Sequence, residues 1–209
     1  MKKTFLTLFL LISWVALNAQ EEGSLLLNTY TSKSFTDKVH FDDTYAKVNQ
    51  GFQWGAGLEF FPMANKSFEL KYLRLATEFP LYTNTDVQIP YQYDRGTLNY
   101  VLFGVTNYFG KNPASKITPY AGLEAGLGLI HREHTRWKFA WGGKLGVKIK
   151  ATPVFSVNFN GYFQSMISSF GSDYWEDTGI TFIAPDYTAI FQFGVGVVLG
   201  FDLAKMQTP

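Results

Sequence analysis

Acids and lysines interrupt several segments of this sequence in which polar and apolar residues alternate. In an extended strand, residues two apart point to the same face, so these charges would share the polar face. Opposite charges enclosed on such a face can either pair and fill the space or line a path for ions. The predicted network of lumen charges consists of Glu59, Glu69, Lys71, Glu124, Lys138, Lys144 and Lys148.

Short connections between the segments indicate which of these charges meet. Glu59 and Lys71 flank the connection at 62–66, and Glu124 and Lys144 flank a brief one at 131–136. We therefore expect Glu59 to pair with Lys71, and Glu124 with Lys144. The interior of an eight-stranded barrel is only just wide enough for side chains, which favours a salt-bridged plug over an ion path.

The other candidate groups carry no recognisable catalytic or metal motif. His131, Glu133 and His134 share a short connection, but their spacing differs from the zinc signature His-Glu-x-x-His. Cysteine is absent, which excludes thiolate metal sites, cysteine nucleophiles and disulfides. Three serines near the end of a predicted strand match no hydrolase motif: Ser165, Ser168 and Ser169. We predict no catalytic residue, no metal and no cofactor.

The last long connection, residues 167–188, combines aromatic residues with acids and contains no lysine or arginine. Exposed aromatic side chains of this kind are typical of a contact surface for a protein partner. A lid folded over the mouth of a barrel would have the same composition, and both interpretations stay open. The predicted contact residues are Phe170, Tyr174, Trp175 and Phe182.

Alternation with a period of two continues along almost the whole chain after residue 20, which predicts strands rather than helices. We predict eight strands, at 25–32, 51–61, 67–81, 97–109, 117–130, 137–150, 154–166 and 189–201. Their length suits tilted membrane strands of about ten residues. Turns after the second, fourth and sixth strands are short, whereas the connections after the first, third and seventh are long and polar. This asymmetry is typical of outer-membrane barrels.

The apolar face of these strands is predicted to contact lipid. A secreted lipocalin-like barrel would enclose that face, but its Trp, Phe and Tyr side chains would overfill an eight-stranded interior. Aromatic residues also concentrate towards the strand ends, as in the girdles of membrane barrels. On the fourth strand we place Leu98, Tyr100, Leu102 and Tyr108 on the lipid face. The predicted interface aromatics are Phe52, Trp54, Phe60, Trp137, Trp141, Phe191, Phe193 and Phe201.

Residues 1–19 have the pattern of a secretory signal peptide. Lys2 and Lys3 precede an apolar stretch at 5–16 that is short for a membrane helix, and a cut after Ala19 would follow. The alternative is an anchor that is retained. We assign residues 20–209 to one β-barrel domain. The net charge of +1 provides no basic field for nucleic acid.

Two segments carry a family resemblance. Residues 119–128, Pro-Tyr-Ala-Gly-Leu-Glu-Ala-Gly-Leu-Gly, and the closing strand at 194–201 resemble the small outer-membrane β-barrel superfamily of OmpA, OmpX and OmpW-like proteins. With Asn-Ala-Gln at 18–20, the chain is most similar to the generic "outer membrane protein beta-barrel domain" proteins of Bacteroidota. The resemblance implies an all-β fold, an eight-stranded antiparallel transmembrane up-and-down barrel. Many members end at an aromatic residue, whereas here residues 202–209 follow Phe201.

The resemblance implies an outer-membrane protein, and the even number of predicted strands places both termini on the side of the short turns, in the periplasm. We expect outer-membrane lipid to surround it, and an outer-membrane or extracellular protein to be its partner. The predicted role is non-enzymatic: structure, display of loops or partner binding. The alternative is a narrow channel or transporter for small apolar or ionic solutes. A third class is a lipid A-modifying enzyme, since some small barrels of this kind carry a His and a Ser near the outer rim.

Overall fold

The computed structural model describes residues 22–40, 44–89, 95–109, 116–131, 135–168 and 188–206. Within these ranges the chain forms strands joined by turns. Among the described residues, no helix has the length and apolar composition needed to cross a bilayer. The strands are β1 Leu25–Ser34, β2 Asp37–His40, β3 Thr44–Val48, β4 Gly51–Met63, β5 Lys66–Glu78, β6 Leu81–Thr83, β7 Gln88–Ile89, β8 Arg95–Tyr108, β9 Ile117–His131, β10 Thr135–Lys150, β11 Phe155–Ser168 and β12 Thr188–Asp202.

Eight of these strands close into a barrel in the order β1-β12-β11-β10-β9-β8-β5-β4. All neighbours are antiparallel, and the barrel closes where β1 pairs with β12, from Leu26 opposite Asp202 to Ser34 opposite Gly194. Closure pairs the backbone groups that hydrocarbon would leave without partners. The predicted eight-stranded antiparallel barrel is confirmed. The third predicted strand is too long, because β5 ends at Glu78 and Leu81 begins β6.

Side chains alternate between the lumen and the outer surface along each barrel strand. In β5, buried and exposed residues alternate without interruption from Lys66 to Glu78. The strands approach closely across the narrow lumen face. A Cβ atom on Gly55 would lie only 2.0 Å from the carbonyl oxygen of Tyr72, so this position requires glycine.

Four short strands form a second sheet, which we call the loop sheet, in the order β2-β3-β6-β7. It continues from the barrel through backbone hydrogen bonds from Lys47 N to Pro80 O and from Asn49 N to Glu78 O, both 2.9 Å long. These connections were predicted to be long and polar, and their strands were not predicted. We call this end of the barrel the loop end, and the opposite end, with the turns between β4 and β5 and between β10 and β11, the turn end.

Both ends of the described chain are fastened at the turn end. Gly23 N donates to Phe61 O at 2.7 Å, and Leu203 N donates to Leu25 O at 2.9 Å. After β12 the chain forms a turn at 203–206, which Asp202 caps by accepting a 3.1 Å hydrogen bond from Ala204 N. Residues 202–206 therefore lie beneath the barrel.

Candidate functional site

Six buried charged side chains fill the lumen from its middle towards the turn end, and we call them the charge layer. Lys144 Nζ lies 2.5 Å from Glu69 Oε2, and Lys71 Nζ lies 2.6 Å from Glu124 Oε2. A buried charge is costly without a partner. Within each of these two pairs, the lysine and the glutamate therefore offset the cost of burying one another. The members of the charge layer are Glu59, Glu69, Lys71, Glu124, Lys144 and Lys148.

The predicted pairings within this network are wrong. We expected Glu59 to pair with Lys71 and Glu124 with Lys144, but Lys71 contacts Glu124 and Lys144 contacts Glu69. In the hairpin β4-β5, Glu59 stands opposite Glu69, so Lys71 is displaced from it along the strand. The contact between Lys144 and Glu69 joins β10 to β5, which β8 and β9 separate in the barrel. Partners are therefore chosen across the lumen and not within hairpins.

Uncharged donors complete the environment of the carboxylates. Glu59 accepts hydrogen bonds from Ser67 Oγ at 2.5 Å, Tyr108 OH at 2.6 Å and Asn28 Nδ2 at 3.0 Å. Asn28 Nδ2 also donates to Glu69 Oε1 at 2.9 Å. Asn28 and Ser67 were not among the predicted site residues, although they lie on the polar face of their strands, and Tyr108 was predicted to face lipid.

The two outermost predicted lysines of β10 have different surroundings. Lys148 is buried, and its Nζ lies 4.7 Å from the ring centre of Phe61 and 5.2 Å from that of Tyr108, within the range of cation–π attraction. Lys138 lies on the same face near the loop end of β10, where it is half-buried. Six of the seven predicted lumen charges are therefore members of the charge layer, and Lys138 lies nearer the loop end.

A chain of amides, also missed from the sequence, extends the polar lumen from Glu124 towards the loop end. Gln164 Nε2 donates to Glu124 Oε1 at 3.5 Å, and Gln53 Nε2 donates to Gln164 Oε1 at 3.0 Å. Ser32 Oγ donates to Gln53 Oε1 at 3.2 Å. The signal that could have found them is their position at every second residue of β1, β4 and β11.

Apolar side chains fill the loop half of the lumen, and we call them the apolar plug. The loop sheet covers it with Val39, Ala46 and Leu81. We expected polar residues to line the whole lumen, which is wrong for this half. The barrel members of the apolar plug are all at most 4% exposed: Leu73, Leu75, Leu98, Tyr100, Leu102, Ile130, Met166 and Ile190.

The face assigned to the fourth predicted strand is therefore wrong. In β8, Leu98, Tyr100, Leu102 and Tyr108 are buried inside the barrel rather than facing lipid. The residues between them face outwards, and Phe103 is 52% exposed. Both faces of this strand are apolar because it lines the apolar plug on one side and the outer surface on the other.

The predicted interface aromatics lie on the outer surface of their strands. Phe60 is half-buried, and so is Phe201, whose ring centre lies 5.2 Å from that of Phe155. A role in anchoring the barrel to lipid remains a prediction for these residues. The six that are exposed are Phe52, Trp54, Trp137, Trp141, Phe191 and Phe193.

Aromatic and basic groups form the outer face of the loop sheet. Tyr45 and Tyr82 stack at 5.2 Å between ring centres, with Lys47 Nζ 4.0 Å above Tyr82 and Lys38 Nζ 4.9 Å above Tyr45. The hydrogen bond to Asp86 raises the pKa of Tyr45 to about 12. With His40, whose ring centre lies 5.6 Å from that of Tyr45, these residues define the outer face.

Several predicted residues lie outside the described parts of the chain. These are the loop contacts Phe170, Tyr174, Trp175 and Phe182, together with Glu133 and His134. His131 is described, and its Nδ1 lies 2.7 Å from Thr135 Oγ1 at the surface. Within the described ranges, no three His, Cys, Asp or Glu side chains are grouped to hold a metal ion.

Comparison with solved structures identifies the fold. The chain is similar to Neisserial surface protein A (TM-score 0.51, 11% identity, 85% of this chain and 96% of that chain). It is also similar to OprG from Pseudomonas aeruginosa (TM-score 0.52, 11% identity, 86% and 96%) and to the outer-membrane protein AlkL (TM-score 0.50, 9% identity, 90% and 94%). No protein-family model and no curated protein matches the sequence. Its closed barrel is therefore the fold of the small eight-stranded outer-membrane β-barrels.

Proposed function

We propose that the protein is a non-conducting, non-enzymatic barrel of the outer membrane that displays the loop sheet at the cell surface to a protein partner, with both termini in the periplasm. The observation that carries this proposal is the filled lumen. The charge layer occupies one half and the apolar plug the other, and Gln53 and Gln164 connect the two. A continuous water path for ions has no room between them.

The outer face of the loop sheet supports the display role. The barrel order fixes β2, β3, β6 and β7 above the mouth, and the inner side of this sheet packs on the apolar plug. A platform held by packing is pre-organised, which lowers the cost of ordering on binding. Exposed Lys38 and half-buried Lys47 cover the ring of Tyr45, which is only 3% exposed, and their ammonium groups suit a partner surface that presents carboxylates.

Conductance in planar bilayers tests the non-conducting assignment against the alternative of a channel. The folded protein, inserted at single-molecule density into a bilayer bathed in concentrated KCl, should show no steady unitary currents. Its control is the same bilayer after insertion of a porin with an open lumen. Steady currents that scale with the amount of inserted protein would overturn the proposal in favour of the channel.

Cysteine labelling in intact cells tests the orientation, because the chain itself contains no cysteine. Lys38→Cys, on the outer face of the loop sheet, should react with a membrane-impermeant maleimide. Met206→Cys, which replaces an exposed residue of the C-terminal turn, should react only after the outer membrane is permeabilised. The reverse pattern would refute the display of the loop sheet.

The expected partner chemistry can be probed with immobilised poly-L-glutamate. Retention of the detergent-solubilised protein should decrease in the double variant Lys38→Gln/Lys47→Gln. The matched control is Lys66→Gln/Lys116→Gln, which removes two exposed lysines from the turn end. An equal decrease in both double variants would show that only net charge is sensed and would contradict a specific role of the loop sheet.

A further inference from the structure

A cavity of about 280 Å³ opens at the turn end, next to the charge layer. This volume is near the lower end of the roughly 300–1,000 Å³ that is typical of small-molecule sites. β1, β4, β10 and β12 contribute to its wall, and the C-terminal turn adds Lys205. Asp202 and Lys205, which follow Phe201, thus form part of a concave surface.

The wall of this cavity has an apolar part. Leu26, Phe61 and Tyr108 line it and belong to a second buried apolar cluster, separate from the apolar plug. Each of the three is at most 7% exposed. A short hydrocarbon group placed against them would be removed from water, which is favourable in proportion to the area covered.

Lysine is the most frequent charged residue on the wall. Lys148 is also a member of the charge layer, in which three lysines face three glutamates. The cavity is lined by Lys148 of that layer and by Lys150 and Lys205, but Asp202 is the one carboxylate among its lining residues in the described chain. Asp202 Oδ2 lies 3.5 Å from Lys205 Nζ. The ammonium groups of these lining lysines favour an anion over a cation in the cavity.

Two buried polar groups face this anion site. Lys148 is 6% exposed and contacts the ring faces of Phe61 and Tyr108. Ser156 Oγ is buried and has no hydrogen-bond partner among the described residues. A Cβ atom on Gly200 would lie 2.7 Å from that hydroxyl, so the glycine leaves the approach to it open. A buried hydroxyl without a partner costs about 1–3 kcal/mol, which a ligand would recover.

We propose that the turn-end cavity binds an amphipathic anion: a phosphate ester whose short apolar chain packs on Leu26 and Phe61. Lysine ammonium groups bind phosphate as point charges, and the Ser156 hydroxyl donates to a phosphate oxygen. Two sources share this chemistry. One is the headgroup of a phospholipid in the leaflet at the turn end, and the other is a water-soluble phosphate ester.

Calorimetric titration of the folded protein in dodecyl maltoside with butyl phosphate tests the site. Saturable binding is expected, with inorganic phosphate weaker and butylammonium not bound. Lys148→Gln should weaken the binding of butyl phosphate by about tenfold or more, and a factor of ten corresponds to about 1.4 kcal/mol. Because that substitution also disturbs the charge layer, Ser156→Ala and Lys150→Gln serve as milder variants, each expected to weaken binding several-fold.

The matched control is Lys116→Gln, which removes an exposed lysine at the same end that does not line the cavity. Its affinity for butyl phosphate should equal that of the unaltered protein. The proposal fails if butyl phosphate does not saturate, if butylammonium binds equally well, or if Ser156→Ala and Lys150→Gln behave like Lys116→Gln. Titration with dihexanoyl phosphatidylglycerol separates the sources: tighter binding than butyl phosphate supports the lipid headgroup, and equal or weaker binding supports the soluble ester.

Discussion

Replacing Lys144 with Met should destabilise the barrel strongly. Lys144 Nζ lies 2.5 Å from Glu69 Oε2, and the two side chains are 7% and 1% exposed. Methionine has a similar length but no charge, so Glu69 would remain buried without its ammonium partner. Asn28 Nδ2 would still donate to Glu69 at 2.9 Å, and Tyr30 OH would also remain a donor.

The expected loss follows from the cost of an unpaired buried charge. Removing one member of a buried pair costs about 3–5 kcal/mol. Since Asn28 and Tyr30 still donate to Glu69, we expect the lower limit, about 3 kcal/mol. With a urea dependence of about 2 kcal/mol per molar, the unfolding midpoint should fall by about 1.5 M. The double variant Glu69→Gln/Lys144→Met removes both charges and should recover most of this loss.

Urea unfolding in liposomes, followed by tryptophan fluorescence, measures the midpoints. The matched control is Arg95→Gln, which breaks the exposed pair of Arg95 Nε and Glu78 Oε1 at 3.3 Å and should cost less than about 1 kcal/mol. The reasoning would be refuted if Lys144→Met lowered the midpoint no more than Arg95→Gln. It would also be refuted if the double variant were less stable than Lys144→Met alone.

Three further predictions concern the outer surface, the apolar plug and the loop sheet. Leu145→Lys places a charge at a position near the middle of β10 where Leu145 is 69% exposed. In liposomes this substitution should lower the free energy of unfolding by about 2–4 kcal/mol. An unchanged urea midpoint would contradict contact between this position and lipid. Leu102→Ala should lower the free energy of unfolding by about 2–5 kcal/mol. It should not produce conductance in planar bilayers, because the charge layer still fills the lumen, and a new steady current would contradict this. Asp86→Asn should lower the pKa of Tyr45 from about 12 towards about 10, measured as tyrosinate absorbance relative to Tyr45→Phe. Tyrosine in the unfolded chain ionises near pH 10, so the stability contributed by this hydrogen bond is present below about pH 10 and is lost as the pH rises through 12; a midpoint independent of pH over this range would contradict it.

The strands of the barrel could be predicted because most of them present two different faces. In β4, Phe52 and Trp54 alternate with Gln53, and this alternation gives both the strand and its orientation. In β8 the same reasoning fails: Leu98 and Tyr100 face the apolar plug while Phe103 faces outwards. Period-two alternation assigns a face only where one face is polar.

Ion-pair partners could not be predicted, because their choice depends on geometry across the lumen. The sequence supports pairs within a hairpin, such as Glu59 with Lys71, since neighbouring strands share a turn. The observed partner of Lys71 is Glu124, which lies on β9, two strands away from β5 in the barrel order. Tilt and closure of the barrel decide such contacts, and neither can be read from local spacing.

The loop sheet has a weak signal in the sequence. Its strands are short, from two to five residues, and their apolar positions are few. Val39 alternates with the polar residues Lys38 and His40, but segments this short also occur in irregular connections. They form strands here because the apolar plug beneath them offers a surface to cover.

The two ion pairs across the lumen have a consequence for how the protein enters its membrane. Each one links strands that are not neighbours, β5 with β9 and β5 with β10, so both contacts depend on the curvature of the sheet. A partly assembled sheet would expose lysines and glutamates singly to hydrocarbon, at a cost of several kcal/mol. Insertion of these strands should therefore be coupled to curling of the sheet, because curling brings the acids and bases of the interior into contact.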